Sequence, residues 1–398
     1  MKVTIKKGIP CGTVTAPPSK SMAHRLLICA ALANGTSTIS NVAISDDIKA
    51  TIGALKSLGA DIQINGSAVT VTGPLNNQNP DTINCNESGS TLRFMIPLCL
   101  LKGTDIRLCG TKRLFSRSLA VFETLCRERG FAFVQDSAGV TVNGRLESGV
   151  YRVRGDISSQ FISGLMFALP NLNGDSVIEI ENTLESAPYI DLTTQALSQF
   201  NVKTLRENNK IYISHSTFTP CNESVEGDCS NAAFFDALNL MGGSVKVLGL
   251  DPNTLQGDYI YKDYFNEIKN GCPTLDISDC PDLAPILMAA GAASNGVTLV
   301  GTRRLKIKES DRGAAMASEL KKMSVDVKIS ENTITVGHGI QPPADTIYGH
   351  NDHRIVMAMA CLMTKTGGTI DGAGAVCKSM PDFFEKLRTL GVEVIDET

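Results

Sequence analysis

Short segments of alternating apolar and polar residues follow a small turn residue at six places along the chain. Leu58-Gly59-Ala60-Asp61-Ile62 leads into Val69-Thr70-Val71-Thr72-Gly73, and Arg129-Gly130-Phe131-Ala132-Phe133 into Val140-Thr141-Val142-Asn143-Gly144. Phe200-Asn201-Val202 precedes Ile211-Tyr212-Ile213. Met241-Gly242-Gly243, Met323-Ser324-Val325 with Ile334-Thr335-Val336, and Leu390-Gly391-Val392-Glu393-Val394 continue the series. The turn positions 59, 130, 201, 242, 324 and 391 are separated by 71, 71, 41, 82 and 67 residues. This predicts six copies of one α/β unit, with a break in the period between 201 and 242.

Alternation gives each strand one buried face, whereas the segments Phe161–Leu169, Leu283–Ala293 and Ile355–Met363 are apolar nearly all round. Strands with a wet face around strongly apolar helices predict sheets outside and helices inside. The break near the middle marks a domain boundary, with Ser224-Val225-Glu226-Gly227-Asp228 as the crossover.

Composition narrows the partners. The chain has 398 residues, is 42% apolar and carries a formal net charge of −4, against broad nucleic-acid or membrane-surface binding. There is no Trp, and the twelve Cys form no Cys-x-x-Cys pair; Cys29, Cys99 and Cys361 lie in apolar stretches and read as core. The start, Met1-Lys2-Val3-Thr4-Ile5-Lys6-Lys7, lacks the apolar core of a signal peptide, and apolar runs such as Leu26–Ala33 are too short to span a bilayer. A soluble, reduced, cytoplasmic protein is expected.

Charge is concentrated in particular segments. Pro18-Ser19-Lys20-Ser21-Met22-Ala23-His24-Arg25 leads into an apolar helix, and Ser19 or Ser21 can cap it. Free N–H groups, two hydroxyls, Lys20 and Arg25 there make a phosphate or carboxylate site. Glu87-Ser88-Gly89-Ser90-Thr91-Leu92-Arg93 and Asp156-Ile157-Ser158-Ser159-Gln160 also precede apolar helices. Lys112-Arg113-Leu114-Phe115-Ser116-Arg117 holds three cations, and Ser186-Ala187-Pro188-Tyr189 a hydroxyl pair. Cys280-Pro281-Asp282, Lys308-Glu309-Ser310-Asp311-Arg312, Asn351-Asp352-His353-Arg354 and Lys378 complete the set. Lys20, Arg25, Arg117, Lys308, Arg312, Arg354 and Lys378 are thus expected nearly all at the starts of apolar helices, facing one interdomain cleft that holds small polyanions. Asp282 and Glu309 are the acids placed for proton transfer.

These ordered motifs resemble the 5-enolpyruvylshikimate-3-phosphate synthase family over essentially the whole chain. The resemblance implies an α/β fold of two inside-out α/β barrel domains, each of three βαβαββ repeats with helices inside, here 1–14 plus 226–398 and 15–225. It implies transfer of the enolpyruvyl group of phosphoenolpyruvate to the 5-hydroxyl of shikimate 3-phosphate, releasing phosphate, on the way to chorismate and aromatic amino acids. Shikimate 3-phosphate would be held by Lys20, Ser21, Arg25, Ser158, Ser159, Gln160, Ser186, Asp282 and Lys308. Phosphoenolpyruvate would be held by Lys20, Gly89, Arg117, Gln160, Arg312, Arg354 and Lys378. Asp282 would take the hydroxyl proton, and Glu309 would deliver a proton to the methylene carbon and later help remove one; Lys20 is counted with them as catalytic.

No cofactor, metal, nucleic acid or membrane is implied, and a monomer is expected. Glu87-Ser88 stands where many members have Asn-Ala, and Arg304 where some have Asn, so Glu87 and Arg304 are left out of the implied site. The related UDP-N-acetylglucosamine enolpyruvyl transferases carry a loop cysteine, absent from Gly110–Arg117. A non-catalytic anion-binding repeat protein would not need both Asp282 and Glu309.

Overall fold

The repeat turns close their helices in one way. In a computed structural model describing residues 1–75 and 79–397, the turn residue has positive φ at Gly59 (103°), Gly130 (70°), Asn201 (61°), Gly242 (98°), Ser324 (63°) and Gly391 (81°). The following N–H reaches back five residues: Ala60 to Leu55, Phe131 to Cys126, Val202 to Leu197, Gly243 to Leu238, Val325 to Leu320 and Val392 to Leu387, at 2.8–3.1 Å. This is the six-to-one bond that caps a helix C-terminus around a left-handed residue, a conformation that Gly and Asn adopt most easily.

At five of these turns the chain leaves the second helix of a repeat; at four of them it makes an antiparallel hairpin, and after Gly391 the strand Val394–Glu397 pairs antiparallel with Lys2–Ile5 from the other end of the chain instead. Gly59 leads to Asp61–Asn65 and Ala68–Thr72, and Gly130 to Ala132–Gln135 and Gly139–Asn143. Gly242 is different. It follows the first helix of its repeat, Cys229–Ala237, and the next strand, Ser244–Leu248, pairs in parallel with Cys11–Thr15. That sheet has two strands among the described residues. The second helix of this repeat, Tyr261–Asn270, stops at Gly271, seventy residues after Asn201, and no hairpin follows before Thr274–Asp276. The six copies read from the sequence are therefore five complete repeats and one shortened repeat. The irregular spacing arose because the turn at 242 is not the counterpart of the other five.

The chain divides into two units, Pro18–Glu226 and Met1–Pro17 with Gly227–Thr398. Pro18–Glu226 holds three four-stranded sheets, each a parallel pair extended by two antiparallel strands. One borrows its first strand, Glu223–Ser224, from the far end of the unit, parallel to Thr36–Ser40. The other unit holds two such sheets and the two-stranded one. There Lys2–Ile5 fits between Gly368–Asp371 and Val394–Glu397, antiparallel to both.

The first helix of each repeat is the buried one. Gly89–Cys99, Ser159–Ala168, Cys229–Ala237, Ala284–Ala293 and His353–Thr366 expose almost nothing, and Lys20–Leu32 is buried from Met22 onward. Cys229–Ala237, Ala284–Ala293 and His353–Thr366 pack on one another. Each fully buried Leu, Ile, Phe or Met contributes about 1.5–3 kcal/mol relative to exposure, so these helices form the stable centre of each unit. Gly89–Cys99 and Ser159–Ala168 cross closely at Gly164, where a Cβ would lie 2.5 Å from the Arg93 carbonyl oxygen. That approach sets the distance between Arg93 and Gln160, one turn before Gly164.

Candidate active site

In Pro18–Glu226, three serines cap the three buried helices. Ser19 accepts from Met22 N–H, Ser88 from Thr91 N–H and Ser158 from Gln160 N–H. A hydroxyl cap satisfies a donor without adding charge, so the positive end of each helix dipole stays uncompensated. Around these starts the cations rest mostly on neutral partners. Arg25, 3% exposed, donates from Nε to Thr193 Oγ1 (2.9 Å), from Nη1 to the Ser21 carbonyl (2.7 Å) and from Nη2 to the Tyr189 carbonyl (2.8 Å). Burial lowers its pKa to about 10, against smaller raising contributions from Tyr189 and Cys29. Thr193 also bonds Ser163 on the helix that starts at Ser159, 2.7 Å away. Ser186, buried and left-handed (φ 59°), precedes the helix carrying Tyr189.

Gln160 joins two motifs. Its Nε2 donates to Ser90 Oγ (2.9 Å) and its Oε1 accepts from Arg93 Nη1 (2.8 Å). A Cβ on Gly89 would stand 2.5 Å from Arg117 Nη1 and 2.9 Å from Arg93 Nη1. Two guanidinium groups thus converge on one glycine, and buried Arg117 Nε has no hydrogen-bond partner among the described residues. Two like charges so close favour an anion beside them. Lys20 pairs with a carboxylate, Asp47, at 2.8 Å. Behind it His24 bonds Thr51, Thr51 bonds Thr91, and Thr91 bonds Ser88. Burial first, then Lys20 and Arg25, hold the His24 pKa well below its ordinary value, so the ring is neutral.

The second unit uses carboxylates where the first uses serines. Asp228 caps Cys229–Ala237, Asp352 caps His353–Thr366, and Asp282 lies in the 3-10 turn Pro281–Leu283 ahead of Ala284–Ala293. Asp282 Oδ1 meets Arg312 Nη1 at 2.7 Å and Lys308 Nζ at 3.2 Å, and Oδ2 meets Arg354 Nη2 at 2.9 Å. Glu309 Oε2 pairs with Arg312 Nη2. Arg312 Nε pairs at 2.9 Å with Asp352, which is fully buried and also accepts from Ser310 and Arg354 N–H. Burial pushes the Asp282 carboxyl up, but Arg354, Lys308 and Arg312 outweigh it and hold the pKa well below the carboxylate range. Asp352 is held down against burial chiefly by Arg312. Lys308 is lowered, by burial first and also by Arg312 and Arg304, against the pull of Asp282.

All the residues expected from the sequence fall into these two groups, one per unit. Lys20, Ser21, Arg25, Gly89, Arg117, Ser158, Ser159, Gln160 and Ser186 lie in the first; Asp282, Lys308, Glu309, Arg312, Arg354 and Lys378 lie in the second. Lys378 donates to the Asn351 carbonyl at 2.6 Å, next to Asp352. One expectation needs correcting. Lys20, Arg312 and Arg354 lie in the first turns of helices and Arg25 in the second turn of its helix, but Arg117 and Lys308 lie in connections and Lys378 ends the 3-10 turn Ala373–Lys378. The helix Arg312–Lys322 is also amphipathic rather than apolar.

Arg93, Asp47, Thr193 and Asp352 were missing from the expected list. Arg93 and Asp352 stood inside quoted motifs; Asp47 and Thr193 carry no local signal. Arg304 donates to the Ser278 carbonyl at 2.5 Å.

Repeated α/β units whose buried helices begin among cations and hydroxyls define a protein that handles small polyanions. A family profile described as EPSP synthase (3-phosphoshikimate 1-carboxyvinyltransferase) matches residues 7–387. The 3-phosphoshikimate 1-carboxyvinyltransferase of Clostridium kluyveri is 40% identical over 407 residues, covering 96% of each chain. That of Clostridium novyi is 39% identical over 420 residues, covering 97% of this chain and 96% of the other. An EPSP synthase structure from Acinetobacter baumannii superposes with a TM-score of 0.81 at 23% identity, covering 99% of this chain and all of that one. The chain belongs to the EPSP synthase family, and its fold is that family's pair of inside-out α/β domains.

Among the described residues no helix is long and apolar enough to cross a membrane.

Proposed function

We propose that this chain transfers the enolpyruvyl group of phosphoenolpyruvate to the 5-hydroxyl of shikimate 3-phosphate and releases phosphate, in the pathway to aromatic amino acids. The observation that carries the reading is Asp282 among Lys308, Arg312 and Arg354, with Glu309 on the same Arg312. Asp282 accepts the hydroxyl proton as the oxygen bonds to the substituted carbon of the enol. Glu309 protonates the methylene carbon, giving a tetrahedral phospho-adduct. Loss of a proton from the new methyl group, with departure of phosphate, restores the double bond.

Asp282 is a weak base while three cations hold it. Anionic substrates compete for those cations, which moves its pKa back toward the range useful for accepting a proton. Lys20, Ser21, Arg25, Ser158, Ser159, Gln160, Ser186, Asp282 and Lys308 hold shikimate 3-phosphate. Lys20, Gly89, Arg117, Gln160, Arg312, Arg354 and Lys378 hold phosphoenolpyruvate, and Arg93 joins them beside Gly89. Fixed cations also stabilise the adduct as its charge shifts.

The test is phosphate release by the purified protein from phosphoenolpyruvate with shikimate 3-phosphate, with UDP-N-acetylglucosamine, and with neither. Release with shikimate 3-phosphate alone is expected. Release with the sugar nucleotide, or with no acceptor, would overturn the reading.

A further inference from the structure

The helix that begins with Arg312 carries a second buried ionic group seven residues on, on the same face. Glu319 is 2% exposed and receives four partners: Ser318 Oγ at 2.9 Å, Lys322 Nζ at 2.7 Å, the Tyr348 N–H at 2.9 Å and His350 Nε2 at 2.7 Å. Lys322 also holds the Thr346 carbonyl at 3.0 Å, and the Tyr348 ring stands edge-on to His350, 5.0 Å between centroids. Burial pushes the Glu319 carboxyl up, but the bonds from Lys322, Tyr348, His350 and Ser318 hold it below its ordinary value. Nothing in the transfer reaction uses this carboxylate directly.

The segment it grips is strained. His350 and Asn351 are consecutive non-glycine residues in the left-handed region, with φ 50° and 52°. Such a conformation persists only where surrounding contacts impose it. The strained pair decides where the next groups point. The Asn351 carbonyl receives Lys378, the Asp352 N–H returns to the Gly349 carbonyl at 2.9 Å, and Asp352 then anchors Arg312 and starts the helix bearing Arg354. One carboxylate therefore ties Tyr348 and His350 to the helix of Arg312, and the turn between them delivers Lys378, Arg312 and Arg354.

We infer that Glu319, through its contact with His350, is a positioning residue that sets the Asn351–Arg354 turn and with it the cations assigned to phosphoenolpyruvate. The inference rests on the reading under Proposed function. It separates a donor-side effect from general damage, because Ser21, Arg25, Ser158, Ser159 and Ser186, assigned to shikimate 3-phosphate alone, belong to the other unit, and only Asp282 and Lys308 of its assigned residues share the unit of Glu319.

The decisive variant is His350→Gly. Glycine accepts φ 50° without strain, so the fold is kept while the tether is lost. The expected result is a Michaelis constant for phosphoenolpyruvate raised about fivefold to tenfold, that for shikimate 3-phosphate within about twofold, and a thermal midpoint near wild type. Glu319→Gln should move the same constant in the same direction. An unchanged phosphoenolpyruvate constant in His350→Gly, or equal increases for both substrates, overturns the inference, whatever happens to stability. A wild-type protein without phosphate release overturns the functional reading, and this inference with it. An active wild type with an unaltered variant overturns this inference alone.

Discussion

The two units start their buried helices differently. In Pro18–Glu226 the caps are Ser19, Ser88 and Ser158; in the other unit the corresponding starts carry Asp228, Asp282 and Asp352. The cations follow suit. Arg25 rests on a hydroxyl and two carbonyls, and Arg93 meets the Gln160 amide oxygen, whereas Arg312 is clasped by Asp282, Glu309 and Asp352. Neutral partners leave the first cluster with surplus positive charge, ready to hold an anion. Carboxylate partners leave the second nearly compensated and place the proton-transfer groups there. The same repeat thus serves two purposes through the choice of residue at the helix start.

Changing the compensated cluster should cost most. Asp282→Asn and Glu309→Gln should each lower turnover by about 10²–10⁴, the usual contribution of one acid–base group. Glu309→Gln should leave shikimate 3-phosphate affinity nearly intact, while Asp282→Asn weakens it. Steady-state kinetics settle the matter: turnover above about a third of wild type removes that residue's role.

Stability should show the same asymmetry. Asp352 is fully buried and paired with Arg312, so Asp352→Asn should destabilise by about 3 kcal/mol or more. Lys20–Asp47 is partly exposed, at 14% and 13%, so Asp47→Asn should cost under about 1 kcal/mol. Denaturant melts of both variants measure the gap, and equal losses would erase the distinction drawn between the clusters.

Gly89→Ala probes the uncompensated side. Its methyl would displace the Arg117 and Arg93 guanidinium ends, which stand 2.5 and 2.9 Å from that point. The Michaelis constant for phosphoenolpyruvate should rise by about tenfold, equivalent to ~1.4 kcal/mol. An unchanged constant would mean that the convergence on Gly89 has no part in donor binding.

The smallest effect concerns pH. His24 has a folded pKa below its unfolded value of about 6.5, so the unfolded chain binds more protons below that pH. Stability should therefore fall as pH drops from about 6.5, by up to ~1.4 kcal/mol per unit, until the folded pKa is reached. Asp282 and Asp352 act in the same direction in a more acidic window: their carboxyl pKa values are depressed, so their contribution is intact above about pH 4 and is lost only in stronger acid. Melts at pH 7 and pH 5 should show a loss that His24→Gln reduces; an equal loss in that variant would assign it elsewhere.

Much of this was legible along the chain because it is local. Left-handed turn residues at 59, 130, 201, 324 and 391, alternating strands, apolar helices and serine or aspartate caps are each set by neighbours a few positions away. The resemblance added roles that local physics could not supply. Composition could not reveal that the turn at 242 ends a first helix rather than a second, since the bond from Gly243 to Leu238 is the same as at the other five. Which strand comes next is a pairing decision, and Ser244–Leu248 finds Cys11–Thr15 more than two hundred residues away. Partner choice among charges was likewise tertiary. Nothing near Lys20 or Arg25 in sequence announces Asp47 or Thr193, and Glu319 reads as an ordinary helix-surface acid until Tyr348 and His350 close over it. Sequence alone determined which residues could cap, turn or carry charge, because those properties belong to single side chains and their neighbours. Only the folded chain decided which charges are compensated, because that depends on residues brought together from distant repeats.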